Sequence, residues 1–365
     1  MPVNAMRPSL VPPIVKVALL YKTCLLAFCA LVASACPGLV GRTAASPVSF
    51  ASWDIAAYVD IAQNGYQVGT YQCAFYPLWP LCIRCGATLV GGNYLLSAWL
   101  LCSVISLYAL WAFYIYLRTT YTLVIANRTI LLLVAYPGAL FLSVPYAESL
   151  FFLLLALCLV CIGRGWLSGL AVCSFLLPLT RPTGLFVLCI VAWSVAASRR
   201  YKSAYGALAC GAPLLGFVCY LLLMRWYTGN PFAGFAAQSQ FPANGSLSRM
   251  LELDRFVVAF FQFGWAHDYL GSWLDRIFFV GFCCSLPHIW RLCPSYYCYA
   301  LLAGFVTAVA NSYMSEVRFL LLIFPLFIVW AAVLSKWRLF PVCLGVFTCT
   351  QAILLIRFLS GRWAG

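Results

Sequence analysis

The sequence predicts an all-α fold, a polytopic bundle of transmembrane helices, and three observations carry the prediction. Hydrophobic residues make up 65% of the 365 residues and charged residues 8%, a balance that would not keep a water-soluble domain of this size dispersed. Apolar runs near the roughly 20 residues that cross about 30 Å of hydrocarbon recur along the whole sequence. Aromatic residues reach 17%, enough to anchor many segments at a membrane–water interface. Hydrocarbon offers the backbone no hydrogen bonds, so each run has to satisfy its own as a helix.

The runs and their breaks give about eleven crossings, near 14–35, 93–117, 129–145, 147–163, 166–180, 183–198, 204–224, 276–292, 296–314, 317–335 and 339–359. Residues 1–365 then read as a single membrane domain. The first run follows Arg7 and Lys16 and ends in ASAC at Cys36, the outline of a cleavable signal. An uncleaved first helix is expected instead, because the loop after it hangs from it. Arg118 with Arg128, Arg164, Arg199–Arg200–Lys202, Arg291, and Lys336 with Arg338 fall in short loops on one side, which marks that side as cytoplasmic. Two long loops, 36–92 and 225–275, fall on the other. Because the Lys and Arg stand singly at the ends of apolar runs, the +14 net charge is that of membrane flanks and not of a nucleic-acid surface.

Most of the 19 Cys sit inside apolar stretches, among them Cys158, Cys161, Cys219, Cys283 and Cys284, where they serve as small hydrophobes. Cys73, Cys82 and Cys85 fall in the first outer loop and are expected to pack rather than pair, and no metal-ligand spacing accompanies any Cys. The eight acids follow a pattern of their own. Asp54 and Asp60 are in the first outer loop, Glu252, Asp254, Asp268 and Asp275 in the second, and Glu148 and Glu316 at crossing ends on the same side. Ionisable groups at a membrane border are costly unless solvated, paired or used, so their collection on one face argues for a polar site there.

Within that face, SWDIAAYVDIAQNGY (52–66) reads as a helix of about three turns, with Ser52 as N-cap, Trp53 starting it and Asn64–Gly65 ending it. That is too short to span, so it should lie near the interface. Ile55, Val59 and Ala62 form an apolar row towards lipid, with Asp54 about 100° away from Ile55. Asp60 is about 120° round from Asp54, so the two are not a tight carboxylate pair. A second juxtamembrane helix is expected in AFYPLWPLCIRCGATLV (74–90), where Pro77 and Pro80 suit a first turn and Arg84 interrupts the apolar run. Reading 74–90 as a crossing would instead reverse every later loop.

WDIAAYVDIAQNGY, AFYPLWPLCIR, AYPGALFLSVPYAESLF, LTRPTGLF, YTGNPFAGFAAQ and SEVRFLLLIFPLF, in that order from about 50 to 330, resemble the PIG-V-type mannosyltransferases, the GPI mannosyltransferase 2 family with its bacterial relatives. The resemblance implies a glycosyltransferase of the GT-C superfamily. Its donor would be a polyprenyl-phosphate sugar, dolichyl-phosphate mannose in eukaryotes, and its acceptor a membrane glycolipid, with the second, α-1,6 mannose of a GPI-anchor precursor as the leading case. The site would face the endoplasmic reticulum lumen, or the periplasm if the chain is a bacterial inner-membrane enzyme. No cofactor or metal is implied, and a small membrane subunit is a conceivable partner.

Displacing a lipid phosphate from an anomeric carbon with inversion needs a carboxylate to take the acceptor proton and cations to stabilise the leaving group. The resemblance implies an essential Asp in the first outer loop, and Asp54 is the residue that matches. Its alternative role is to favour the N-terminus of its helix, worth about 0.3–1 kcal/mol. Arg181 in TRPTG and Arg318 beside Glu316 in SEVRF are placed to hold phosphate; alternatively they snorkel to the interface. Glu148 in PYAES and Glu316 in SEVRF are further substrate-binding candidates, Glu148 alternatively a helix-start residue, and Asp60 is a substrate contact or a solvated face. Trp53 and Trp79 are placed to stack on sugar or lipid or to anchor the interface. His267–Asp268 has the form of a relay, although a lone loop histidine is more often structural, and His288 reads as packing. No glycine-rich phosphate loop, HExxH or DxD motif occurs. A secondary transporter or flippase shares this composition but would place its ionisable groups near the midplane, often in paired halves, and none are visible here. A non-catalytic subunit of a larger enzyme is the third class.

Overall fold

The computed structural model describes residues 13–35, 53–199, 203–242, 252–264, 266–336 and 339–365. The described residues form helices joined by turns and contain no strand. In chain order the helices are α1 (Pro13–Ala35), α2 (Asp54–Asn64), α3 (Leu78–Ala87), α4 (Tyr94–Thr120), α5 (Leu123–Ala135) and α6 (Glu148–Arg164). Then come α7 (Leu167–Leu176), α8 (Leu188–Ala197), α9 (Ala204–Thr228), α10 (Ala233–Ala237) and α11 (Leu253–Phe261). The chain finishes with α12 (Trp273–Leu292), α13 (Pro294–Asn311), α14 (Glu316–Leu320), α15 (Phe324–Lys336) and α16 (Phe340–Leu359).

Of these, α4, α9 and α16 are long and apolar enough to cross a membrane by length and composition. Four of the other expected crossings are interrupted, and proline is why. The run 129–145 is α5 followed by a 3₁₀ turn over Pro137–Leu142, and 166–180 is α7 followed by one over Leu177–Leu179. The run 183–198 begins with a turn over Pro182–Val187 before α8, and 317–335 is split between α14 and α15. A proline lacks the N–H that would continue the helical ladder, so each run becomes two shorter pieces. The structure therefore shows an all-helical architecture in which three helices are long and apolar enough to cross a membrane, and it does not bear out the count of eleven.

Where α5 breaks at Pro137, two carbonyls are left over, and Gln351 on α16 answers both: its Nε2 donates to Val134 O at 3.1 Å and to Tyr136 O at 2.8 Å. The hydroxyl of Tyr21 on α1 donates to Ala139 O at 3.1 Å in the same turn. Irregular backbone is tolerated at membrane depth only where protein satisfies it, and the terminal helices do so here.

The two juxtamembrane helices exist, with one correction to their setting. Helix α2 begins at Asp54, with Trp53 in the cap position at φ +59°; Ser52 lies outside the described residues. Its row does not meet lipid: Ile55 and Ala62 are buried and Val59 is half-buried against the core, with α2 packed on α3 and α4. Lipid-facing and protein-facing apolar rows look alike in a short sequence, and neighbouring α3 claims this one. Helix α3 follows with Pro77 in the cap position and Pro80 in its first turn.

Candidate active site

The broken helices converge on one cleft of about 210 Å³. Asp54 and Tyr58 of α2 line it, with Arg181, Arg318, Phe319 and Trp363. A further wall comes from the C-terminal end of α13, at Thr307 and Ala310, and an aromatic one from Phe75, Tyr76, Phe235 and Phe241.

Local backbone chemistry sets each charged group. Arg181 sits between the turns Leu177–Leu179 and Pro182–Val187, and the proline after it holds it extended at φ −159°, ψ 151°. The two turns nest so tightly that a Cβ on Gly184 would lie 2.4 Å from the carbonyl of Leu177, so no other residue fits there without pushing apart the two turns that flank Arg181. The turn at Pro137–Leu142 likewise crosses α14, where a Cβ on Gly138 would lie 2.5 Å from Val317 O. Before α14, Ser312, Tyr313 and Ser315 all take positive φ, and Trp53 does so before Asp54. Non-glycine residues in that region carry about 1–3 kcal/mol of strain each, and here they flank the charged groups of the cleft.

Four of the candidate residues meet. Arg318 Nη1 donates to Asp54 Oδ2 at 2.8 Å, and its Nε donates to Glu148 Oε1. Arg181 Nη1 donates to the same Glu148 oxygen. The four formal charges cancel, so the group can exist at low polarity without an unpaired ion. Glu148 is fully buried at the start of α6, whereas the Asp54 side chain keeps 17% of its exposure and faces the cleft. The Arg318 guanidinium lies 4.5 Å from the Tyr146 ring centroid and 5.0 Å from that of Phe141; Arg181 lies 4.9 Å from Phe319. Nothing in the sequence pattern singled out Tyr146, Phe141 or Tyr58.

Asp54 is the one carboxylate among the residues lining the cleft. Burial pushes the phenols of Tyr58 and Tyr76 well above their ordinary range, leaving them protonated and unable to act as bases.

The remaining candidates lie elsewhere. Asp60 accepts from Gln72 Nε2 and from Asn64 Nδ2 at 2.5 Å, tying α2 to the segment after it, and it does not line the cleft. Glu316 is two residues from Arg318, about 200° round a helix, and it turns away from the cleft. Both its carboxyl oxygens are buried without a hydrogen-bond partner, as is the Tyr136 hydroxyl. Trp53 stands beside the cleft, its ring 5.5 Å from Trp363 and 6.1 Å from Tyr269. Trp79 is fully buried and donates to Pro145 O at 3.0 Å, which fixes the turn leading into Glu148. His267 pairs with Ser272 at 3.1 Å and Asp275 at 3.5 Å, not with Asp268, whose carboxylate accepts from Tyr269 N. His288 is exposed on α12 rather than packed. Among the described residues no three His, Cys, Asp or Glu side chains gather to hold a metal ion, and Cys73, Cys82 and Cys85 are free.

The family model described as mannosyltransferase (PIG-V) matches residues 3–239, which include Asp54, Glu148 and Arg181. No curated protein matches the chain.

Proposed function

Since this chain belongs to the PIG-V family of mannosyltransferases, we propose that it moves mannose from a polyprenyl-phosphate carrier to a hydroxyl of a membrane glycolipid. Dolichyl-phosphate mannose is the donor and a GPI-anchor precursor the acceptor, which receives its second, α-1,6-linked mannose. The observation that carries this reading is a single carboxylate, Asp54, in a cleft whose cations are Arg181 and Arg318.

The acceptor hydroxyl oxygen attacks the anomeric carbon from the face opposite the phosphate. The carbon–oxygen bond to phosphate breaks, the lipid phosphate leaves with the electron pair, and the hydroxyl proton passes to Asp54. Arg181 gives one nitrogen to Glu148, and a guanidinium has five N–H donors, so further donors remain on a side chain that lines the cleft. Those donors stabilise the charge developing on the leaving phosphate, and Arg318 holds Asp54 in place. In this reading the cleft opens to the lumen of the endoplasmic reticulum, opposite the basic loops.

Asp54→Asn keeps the shape and one acceptor oxygen but cannot take the proton. It is expected to lower transfer at least about 100-fold, the scale of general base catalysis, with yield retained and only a small fall in melting temperature, because Asp54 is a partly exposed member of the ion cluster. The assay follows mannose from dolichyl-phosphate mannose into glycolipid by mass analysis; full activity in the variant would remove Asp54 from its role.

A further inference from the structure

After α16 the chain does not leave the bundle. Gly361 turns at φ +68°, Arg362 N donates to Arg357 O at 2.9 Å, and residues 363–365 fold back towards the cleft. Arg357 fastens them, with Nε donating to Trp363 O at 2.9 Å and Nη2 to His267 O at 2.6 Å in the second outer loop. The last residue is inserted deeply enough that a Cβ on Gly365 would lie 2.5 Å from the Phe141 ring. That ring is stacked on Tyr146, beneath Arg318.

This places Trp363 in the wall of the cleft that also contains Asp54. Its ring lies 4.5 Å from Tyr269 and 5.5 Å from Trp53. The indole nitrogens of both Trp53 and Trp363 are buried, and neither has a hydrogen-bond partner. A buried donor left unpaired costs about 1–3 kcal/mol, and two of them in contact beside one cleft need an explanation. The void next to them, about 10 Å³ between Trp53, Trp363 and Arg318, has room for one water at most. A hexose offers what such a wall lacks: a face of C–H bonds for an indole, and hydroxyl oxygens that accept from N–H.

The geometry points to Trp363 as a specificity-determining residue, its ring, backed by contact with Trp53, packing against the transferred sugar and its N–H donating to one of the sugar's hydroxyls. The inference deepens the transfer reading above and rests on it for the identity of the sugar. Trp363 contacts the ligand and takes no part in moving the proton.

The test is equilibrium binding to the purified full chain, in the Asp54→Asn background so that nothing turns over. The probes are mannosyl phosphate on a short prenyl chain, the glucosyl epimer, and the prenyl phosphate without sugar. Trp363→Ala is expected to weaken the mannosyl probe about tenfold or more and Trp363→Phe about threefold, since the latter keeps a ring and loses only the N–H. The preference for the mannosyl over the glucosyl probe should shrink in both, and the sugar-free phosphate should bind all three proteins equally. A role confined to packing would weaken the sugar-free probe as well and would overturn the assignment. So would unchanged mannosyl affinity in both variants, or no binding of the mannosyl probe to the parent protein. Should Trp363→Ala not yield folded protein, Trp363→Phe decides alone. Sugar-dependent binding without any transfer by the wild-type chain would sink the transfer reading and leave the assignment of Trp363 standing.

Discussion

Glu148 is the pivot of the site at the scale of single residues, since one of its oxygens receives both Arg181 and Arg318 while its own side chain has no exposure to solvent. The sequence separates these partners by 33 and 170 positions. Removing one member of a buried ion cluster leaves the others uncompensated, which typically destabilises by about 3–5 kcal/mol. Glu148→Gln keeps volume and loses the charge that balances the two guanidinium groups. The expected result is a large drop in melting temperature in detergent together with loss of transfer, whereas Asp54→Asn, at a partly exposed member of the cluster, loses transfer with a much smaller drop. Equal melting temperatures for the two variants would mean that the arginines are held by something other than Glu148. The sequence showed that the acids gather on one face with Arg181 and Arg318, in the outer loops and at the ends of apolar runs. It did not show which meets which: the pattern set Asp54 and Asp60 apart on one short helix without naming their partners, and only the fold gives one Arg318 and the other Gln72.

At the scale of elements, the sites of the charged residues are made by interrupted helices, and the interruptions need partners of their own. Asp275 Oδ1 accepts from Val317 N at 2.8 Å, so the start of α12 positions α14 and with it Arg318. Gln351 does the same for the α5 break through Val134 O and Tyr136 O. Gln351→Leu is nearly the same size and suits an apolar helix better by composition, yet it strands two buried carbonyls at about 1–3 kcal/mol each. A lower melting temperature is therefore expected despite the gain in hydropathy, and a variant as stable as the parent would show that the carbonyls find other partners. Proline positions made the breaks legible in outline, since Pro137, Pro178 and Pro182 each sit where a helix gives way to a 3₁₀ turn. The rescue by Gln351 was not legible, because a glutamine more than 200 residues away carries no local signal of the carbonyls it will meet.

For the whole molecule, orientation ties the pieces together. Helix α4 is 27 residues, about 40 Å long, and carries Arg118 in its last turn. Its first turns lie against α3, where Ser97 Oγ donates to Ile83 O, so Arg118 is at the end far from the cleft. Arg128 of α5 lies over Phe340 at the start of α16, and Arg164 and Arg291 close α6 and α12. Glu148 and Asp275 stand at the opposite, N-terminal ends of those same two helices. The separation of basic from acidic ends that the sequence displayed is thus carried by the helix directions, while the number of spans was obscured because half-helices and full crossings have similar composition. Two sequons probe the orientation. NRT begins at Asn127 in α5, among the basic ends, where its Oδ1 accepts from Tyr114 at 3.0 Å. NGS begins at Asn244, outside the described residues but three positions after Phe241, whose ring lines the cleft. In a host that glycosylates in its lumen, endoglycosidase treatment should shift the wild-type protein and Asn127→Gln alike, and Asn244→Gln should abolish the shift. Sugar on Asn127 would put the arginines in the lumen and Asp54 in the cytosol, where no luminal donor could reach it.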